Sequence, residues 1–239
     1  EQEIISALLA LFKAPPTGSG NLTGGGTESL LLAVMSALNR AKSMGKKEPF
    51  DLIIPEAAHP GFDKAAHLMG ATAIRLASSA SYRADTEQIK ASIGPDTILL
   101  AASAPSFPFG VTDGIDDLAA IAKKNDLWLH VDACHGGFVL PFANQLGYAT
   151  PEFDFSVDGV TSLSVDLHKL GYANKGASAL LLADTENEQY QRYTFNNWPG
   201  GHYSTMGLMG SRSAGGMASA WAMIRLLGQS GYREIVSEI

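Results

Sequence analysis

Residues 161–178 read TSLSVDLHKLGYANKGAS, and the rest of the chain is best understood outward from them. Val160, Leu163 and Val165 sit among small hydroxyl residues, the pattern of a short buried strand. Asp166, His168 and Lys169 follow where that strand should stop, then Gly171 and Gly176, and the apolar run 177–183 reads as the next strand. A lysine fixed between two strands at the end of a buried one is partly stripped of water. The expectation is a lowered pKa and a side chain suited to Schiff-base chemistry. The alternative is a solvated lysine in an ordinary connection between strands, since most lysines stay in water.

Composition narrows the classes. A chain of 239 residues, 46% of them hydrophobic, can bury one large core and is not a disordered sequence. A formal net charge of −7 argues against non-specific nucleic-acid binding. With Cys134 as the one cysteine there is no intramolecular disulfide, which suits a reducing compartment and gives a cytoplasmic expectation. No apolar run is long enough to span a bilayer, so no transmembrane segment is expected. The chain opens in an amphipathic helix pattern (Ile4, Ile5, Leu8, Leu9, Phe12) and stops in another over 231–239, so both ends look cut from something longer.

After the first helix, residues 14–26 are rich in Pro, Gly, Thr and Ser and read as a loop, ending in Thr23-Gly24-Gly25-Gly26-Thr27-Glu28-Ser29. A helix pattern then runs from Leu30 to about Met44. A glycine loop entering a helix offers free N–H groups at the positive end of the helix dipole, an anion site most often used for phosphate. A flexible loop before an N-cap threonine is the competing reading. Neither of the two common phosphate fingerprints fits the glycine spacing.

Short apolar runs at 51–55, 71–76, 97–102, 127–133, 160–165 and 178–183 alternate with helical stretches at 62–69, 85–93 and 114–125. That alternation implies βαβ units: an α/β fold with a mostly parallel sheet and helices on both faces. Ligands of such sheets bind beyond the carboxyl ends of the strands. Those ends carry Glu56 and His59, then Ser103, then Asp132, Cys134 and His135, then Asp166, His168 and Lys169.

Two chemistries compete for that set. His130, Asp132 and Cys134 alternate along one strand face and could begin a metal site, but no second cluster supplies the remaining ligands. Pyridoxal phosphate needs an amine, a carboxylate for its ring nitrogen, a phosphate cup and something flat against the ring. Lys169, Asp132, residues 25–27 and His59 supply one of each, and no metal is expected.

At this point the sequence resembles a known family. Asn21-Leu22-Thr23-Gly24-Gly25-Gly26-Thr27-Glu28-Ser29, Pro55-Glu56-Ala57-Ala58-His59, Ser103-Ala104-Pro105-Ser106-Phe107-Pro108-Phe109-Gly110, His130-Val131-Asp132-Ala133-Cys134-His135-Gly136-Gly137-Phe138 and Asp166-Leu167-His168-Lys169 stand in order. Together they are similar to the group II pyridoxal-phosphate-dependent decarboxylase superfamily, and within it to the sphingosine-1-phosphate lyases. The likeness runs from about Leu11 to Gly216. It implies pyridoxal 5'-phosphate as cofactor and the fold type I, aspartate-aminotransferase-like large domain, here residues 1–239. The resemblance implies that the chain is a fragment, with an N-terminal segment and the usual C-terminal small domain expected outside it.

The resemblance also implies roles. Lys169 would form the Schiff base with the cofactor, Asp132 would hold the ring nitrogen and His59 would lie against the ring. Gly26 and Thr27 would hold the phosphate with His168 near, and Ser103 would lie by the ring hydroxyl. The stretch Trp198-Pro199-Gly200-Gly201-His202-Tyr203-Ser204 and Gly210-Ser211-Arg212 resembles a lyase segment that approaches the partner subunit's cofactor. A homodimer with shared active sites follows from that, with Gly201 and Ser204 as cofactor contacts. Lys175, His135 and Tyr203 are the expected substrate contacts, Lys175 sharing one pocket with Lys169. The chain departs from the lyase pattern at Gly24, His135, Leu170 and Asn174, positions where a substrate is sensed.

The implied activity is carbon–carbon cleavage of a phosphorylated long-chain amino alcohol to an aldehyde and phosphoethanolamine, in a protein of sphingolipid metabolism. The alternatives are an amino-acid decarboxylase and a non-catalytic subunit that keeps the fold.

Overall fold

The computed structural model describes residues 1–239. In chain order the elements are α1 (Gln2–Leu11), β1 (Ser19–Thr23), α2 (Gly26–Ser43), β2 (Asp51–Pro55), α3 (Gly61–Met69), β3 (Thr72–Leu76) and α4 (Thr86–Ser92). There follow β4 (Thr97–Ser103), α5 (Ile115–Lys124), β5 (Trp128–Asp132), α6 (Leu140–Gln145), β6 (Ser162–Asp166) and β7 (Ser178–Leu182). The short α7 (Glu188–Gln191), a small hairpin β8 (Tyr193–Phe195) and β9 (Tyr203–Thr205), and α8 (Ala214–Glu238) complete the chain.

Seven strands form one sheet in the order β1-β7-β6-β5-β4-β2-β3. All neighbours are parallel except β7, which runs against both β6 and β1. The mostly parallel sheet with helices on both faces is the α/β arrangement expected from the spacing of apolar runs.

Side-chain alternation sorts the strands onto two faces. Leu129, Val131, Leu163, Val165, Ala179 and Leu181 join the core under α1, α5 and α8. Leu52, Ile54, Leu99, Ala101 and Trp128 join the core under α2 and α3. Each large side chain buried this way contributes about 1.5–3 kcal/mol. The face under α2 also carries a polar lane: Trp128, His130 and Asp132 on β5 alternate there, beside Ser162, Ser164 and Asp166 on β6. Register pairs His130 with Ser162 and Asp132 with Ser164.

The structure corrects the reading of residues 14–26 as a loop, because Ser19–Thr23 is an edge strand of the main sheet. Gly20 explains why it went unseen. A Cβ there would lie 2.7 Å from the Leu180 carbonyl oxygen, so the strand needs glycine where an apolar residue would have signalled it. Helix α2 also begins earlier than Leu30, at Gly26, and Thr27 lies inside it rather than capping it. Helix α8 is longer than the 231–239 pattern suggested and is kinked at Gly228, where φ is 57°. No helix is long and apolar enough to cross a membrane.

Candidate active site

The segment after β2, the carboxyl ends of β5 and β6 and the entry to α2 open onto one cavity of about 580 Å³, within the roughly 300–1,000 Å³ usual for small-molecule sites. Gly24 to Glu28, His59, Asp132, Cys134, Asp166, His168 and Lys169 line it. A second cavity of about 250 Å³ shares His59, Asp132, Cys134 and Lys169 and adds Ser103 and His135.

The phosphate cup is built from backbone. No side chain caps α2, so the N–H groups of Gly26 and Thr27 in its first turn have no protein partner. A Cβ on Gly26 would sit 2.9 Å from Cys134 Sγ, closer than real Cβ contacts come, and a tight 3.0 Å from Asp166 Oδ1. Glycine alone lets this turn settle against the strand ends. Ser29 pins it there through Thr23 on β1 (2.7 Å) and Ser178 on β7 (3.0 Å). Glu28 accepts the N–H groups of Gly24 (2.6 Å) and Leu208 (3.1 Å), which brings Met209 to the rim.

His168 faces the same cup. Its Nδ1 accepts the Ala177 N–H at 3.1 Å, so the neutral ring carries its proton on Nε2, 3.4 Å from Asp166 Oδ2. Burial holds its pKa below the ordinary histidine value; Asp166 works the other way, and Lys175 and Lys169 add to the depression.

Asp132 is anchored by one oxygen. Oδ1 accepts the Cys134 N–H at 3.0 Å and the Ser164 hydroxyl at 3.4 Å, and neither contact involves Oδ2. His59 is exposed, with its ring fixed by the Gly61 N–H donating to Nδ1 at 3.0 Å. Ser103 is buried beside Asp132 in the sheet register, its backbone N–H held by Asp113 Oδ2 at 2.8 Å.

Lys169 departs from expectation. Its Nζ is 3.0 Å from Oδ2 of Asp166, a carboxylate only 3% exposed whose Oδ1 is buried without a partner. Burial works to lower the lysine pKa, but the charge and hydrogen bond of Asp166, with Asp132 adding, raise it above the ordinary value. The expectation of a depressed lysine is therefore corrected: burial counted alone omitted the carboxylate three residues back.

The Lys175 side chain is exposed, its Nζ donates to the His168 carbonyl at 3.3 Å, and it lines neither cavity. Gly201, Tyr203 and Ser204 lie on or beside the exposed β8–β9 hairpin and also line neither cavity. Arg212 is engaged by Glu1, 2.7 Å from Oε2. His135 stands edge-on to Phe107, ring centres 5.5 Å apart, with its Nδ1 buried and unpartnered.

Sequence reasoning passed over Asp166 as a partner for Lys169. Period-two alternation carried the signal, since Ser162, Ser164 and Asp166 share the face of Asp132. Cys134, weighed as a metal ligand, is a wall of the cavity whose thiol burial pushes well above its ordinary pKa, Asp132 and Asp166 adding to the shift. His130 has both ring nitrogens on serine hydroxyls, and no group of three potential ligands is assembled.

Amine, unshared carboxylate oxygen, uncapped helix start and fixed imidazole stand at one cavity, the donor types that pyridoxal phosphate requires. The model of the pyridoxal-dependent decarboxylase conserved domain matches residues 1–239, and the chain belongs to that family. It is 40% identical over 240 residues to sphingosine-1-phosphate lyase 1 of Rattus norvegicus, covering all of this chain and 42% of the relative. Among solved structures it is similar to a sphingosine-1-phosphate lyase of Burkholderia pseudomallei, with a TM-score of 0.97 and 38% identity over all of this chain and 57% of that one. Glutamate decarboxylase of Lactobacillus brevis shares the fold, with a TM-score of 0.86 and 21% identity over 99% of this chain and 56% of that one. The chain thus spans less than half the length of the rat relative. Pyridoxal phosphate is the family's cofactor, and the Gly26 cradle and the donor set around it fit that group.

Proposed function

We propose that the protein to which this chain belongs is a pyridoxal-phosphate-dependent lyase. It cleaves a phosphorylated long-chain amino alcohol between C2 and C3 by a retro-aldol reaction, giving an aldehyde and phosphoethanolamine. The observation that carries this reading is the likeness to sphingosine-1-phosphate lyases, 40% identity along the whole chain against 21% for the decarboxylase that shares the fold.

When bound, the cofactor supplies an aldehyde that condenses with amines and a ring that takes up electron density from a breaking bond. Lys169 would hold it by that aldehyde and carry a proton at Nζ. Asp132 would keep the ring nitrogen protonated, and His59 would lie along the ring. Gly26, Thr27 and the Nε2–H of His168 would hold the phosphate, with Ser103 toward the ring hydroxyl. Residues 1–239 act in this reading as the cofactor-binding domain of the longer protein.

The same reading assigns substrate contacts to Lys175, His135 and Tyr203, and gives Gly201 and Ser204 to the partner subunit's site in a homodimer. Exposed Tyr193, Phe195, Trp198 and Tyr203 on the hairpin support a covered surface there. A reducing, cytoplasmic setting suits the free, buried Cys134.

The test is turnover by the full-length protein of a sphingoid-base phosphate beside a panel of amino acids. Aldehyde and phosphoethanolamine are the expected products. Carbon dioxide released from an amino acid, with the phosphorylated base untouched, would favour the decarboxylase.

A further inference from the structure

Behind Asp132 runs a chain of buried polar contacts. The indole Nε1–H of Trp128 donates to Ser162 Oγ at 2.7 Å, and Ser162 Oγ is 2.7 Å from His130 Nδ1. His130 Nε2 is 3.1 Å from Ser164 Oγ, and Ser164 Oγ is 3.4 Å from Asp132 Oδ1. Trp128, His130, Ser162 and Ser164 are all buried, His130 completely, with the ring of Phe62 edge-on at 5.8 Å.

The two ends fix every proton between them. Indole can only donate and an ionised carboxylate can only accept. Ser164 must therefore spend its hydroxyl proton on Asp132, so the contact between His130 and Ser164 needs an Nε2–H. Ser162, already receiving the indole proton, gives its own to Nδ1. One arrangement alone places one proton in each of the four contacts, and in it His130 is neutral with its proton on Nε2. Burial agrees, pushing the His130 pKa down to about 4 against the opposing pull of Asp132, the charged group that acts on it.

We propose that His130 is a positioning residue for the cofactor's ring nitrogen. As the Nε2–H tautomer it turns the Ser164 hydroxyl onto Asp132 Oδ1 and so leaves Oδ2 directed to the ring. The proposal rests on the cofactor reading above but makes a separate claim about the protein without cofactor. A wrong tautomer would turn the Ser164 hydroxyl away and leave the carboxylate held on this oxygen by the Cys134 N–H and no hydroxyl. Ser164 also receives a thiol contact from Cys134 Sγ at 3.4 Å, so its oxygen is already supplied with donors.

The tautomer is read directly by ¹⁵N–¹H NMR of the imidazoles in the cofactor-free protein. His130 should show a protonated Nε2 and a bare Nδ1, unchanged across neutral pH; a protonated Nδ1 overturns the proposal. The second arm titrates pyridoxal phosphate labelled with ¹⁵N in the ring into Ser164→Ala, His130→Phe and His130→Gln. Loss of a hydrogen bond to a charged group should weaken cofactor binding about tenfold in Ser164→Ala and His130→Phe and reduce protonation of the ring nitrogen. His130→Gln, which offers an acceptor and a donor in similar places, should recover much of both. Should His130→Phe fail to fold, Ser164→Ala alone decides. Wild-type affinity and ring protonation in Ser164→Ala overturn the proposal. Failure of the wild type to take up the cofactor overturns the reading beneath it and is distinguished by the tautomer result.

Discussion

Lys169 Nζ lies 3.0 Å from Asp166 Oδ2, so the amine that the cofactor needs is held as an ammonium by a carboxylate one helical turn's spacing back in the chain. Only the neutral amine attacks an aldehyde. Uptake of pyridoxal phosphate by the cofactor-free protein should therefore rise with pH as Lys169 deprotonates, above the ordinary lysine range because the folded pKa is raised. Asp166→Asn removes the main raising influence and leaves burial, which lowers, against the smaller raising effects of Cys134 and Asp132. The uptake profile should move to lower pH and the rate near neutral pH should increase by about tenfold. Absorbance-monitored uptake across pH measures this, and an unmoved profile would show that the ion pair does not control the amine.

Gly26→Ala places a methyl group against Cys134 Sγ and the Asp166 carboxylate. Either the core accepts strain of about 1–3 kcal/mol or the first turn of α2 lifts, and lifting weakens the phosphate cup by about tenfold. Melting curves and cofactor titration separate the two. Gly94→Ala, with open space around the added carbon, is the control and should change neither.

The architecture was largely legible because apolar strands bounded by turns state their type plainly. Strand ends 103, 132 and 166–169 announced the site, since a buried strand that ends in charge must be aiming it somewhere. What stayed hidden depended on partners distant in sequence. Strand β1 is a strand because β7 accepts it, with Gly20 fitted against Leu180. The charge state of Lys169 depends on Asp166; period-two alternation puts it on the face of Ser162 and Ser164, and the β5–β6 register puts that face beside Asp132. Lys175 turned back to His168, an outcome that spacing alone does not determine.

Tyr232 connects α8 to the turn that follows Lys169. Its hydroxyl donates to the Gly171 carbonyl at 2.9 Å while its ring stacks on Phe142, and burial, with Tyr172 adding, pushes its pKa up to about 12. Tyr232→Phe keeps the ring and loses the hydrogen bond. Urea denaturation should show a loss of about 1 kcal/mol. No loss would mean that water replaces the bond.

Lys175→Ala separates the lyase from the decarboxylase. If Lys175 swings to a substrate phosphate, the variant should raise KM for the phosphorylated substrate several-fold and leave the bound cofactor's absorption spectrum untouched. Inorganic phosphate should compete with substrate in the wild type and much less in the variant. Unchanged kinetics, or equal turnover of a substrate without phosphate, would count for the decarboxylase.

The central claim is that Lys169 is the residue that carries pyridoxal phosphate. Borohydride reduction of the protein loaded with cofactor, followed by proteolysis and peptide mapping, addresses it most directly. The expected result is a reduced pyridoxyl group on Lys169, absent from Lys169→Ala. A pyridoxyl group on Lys175 or any other lysine, with Lys169 unmodified, would contradict it.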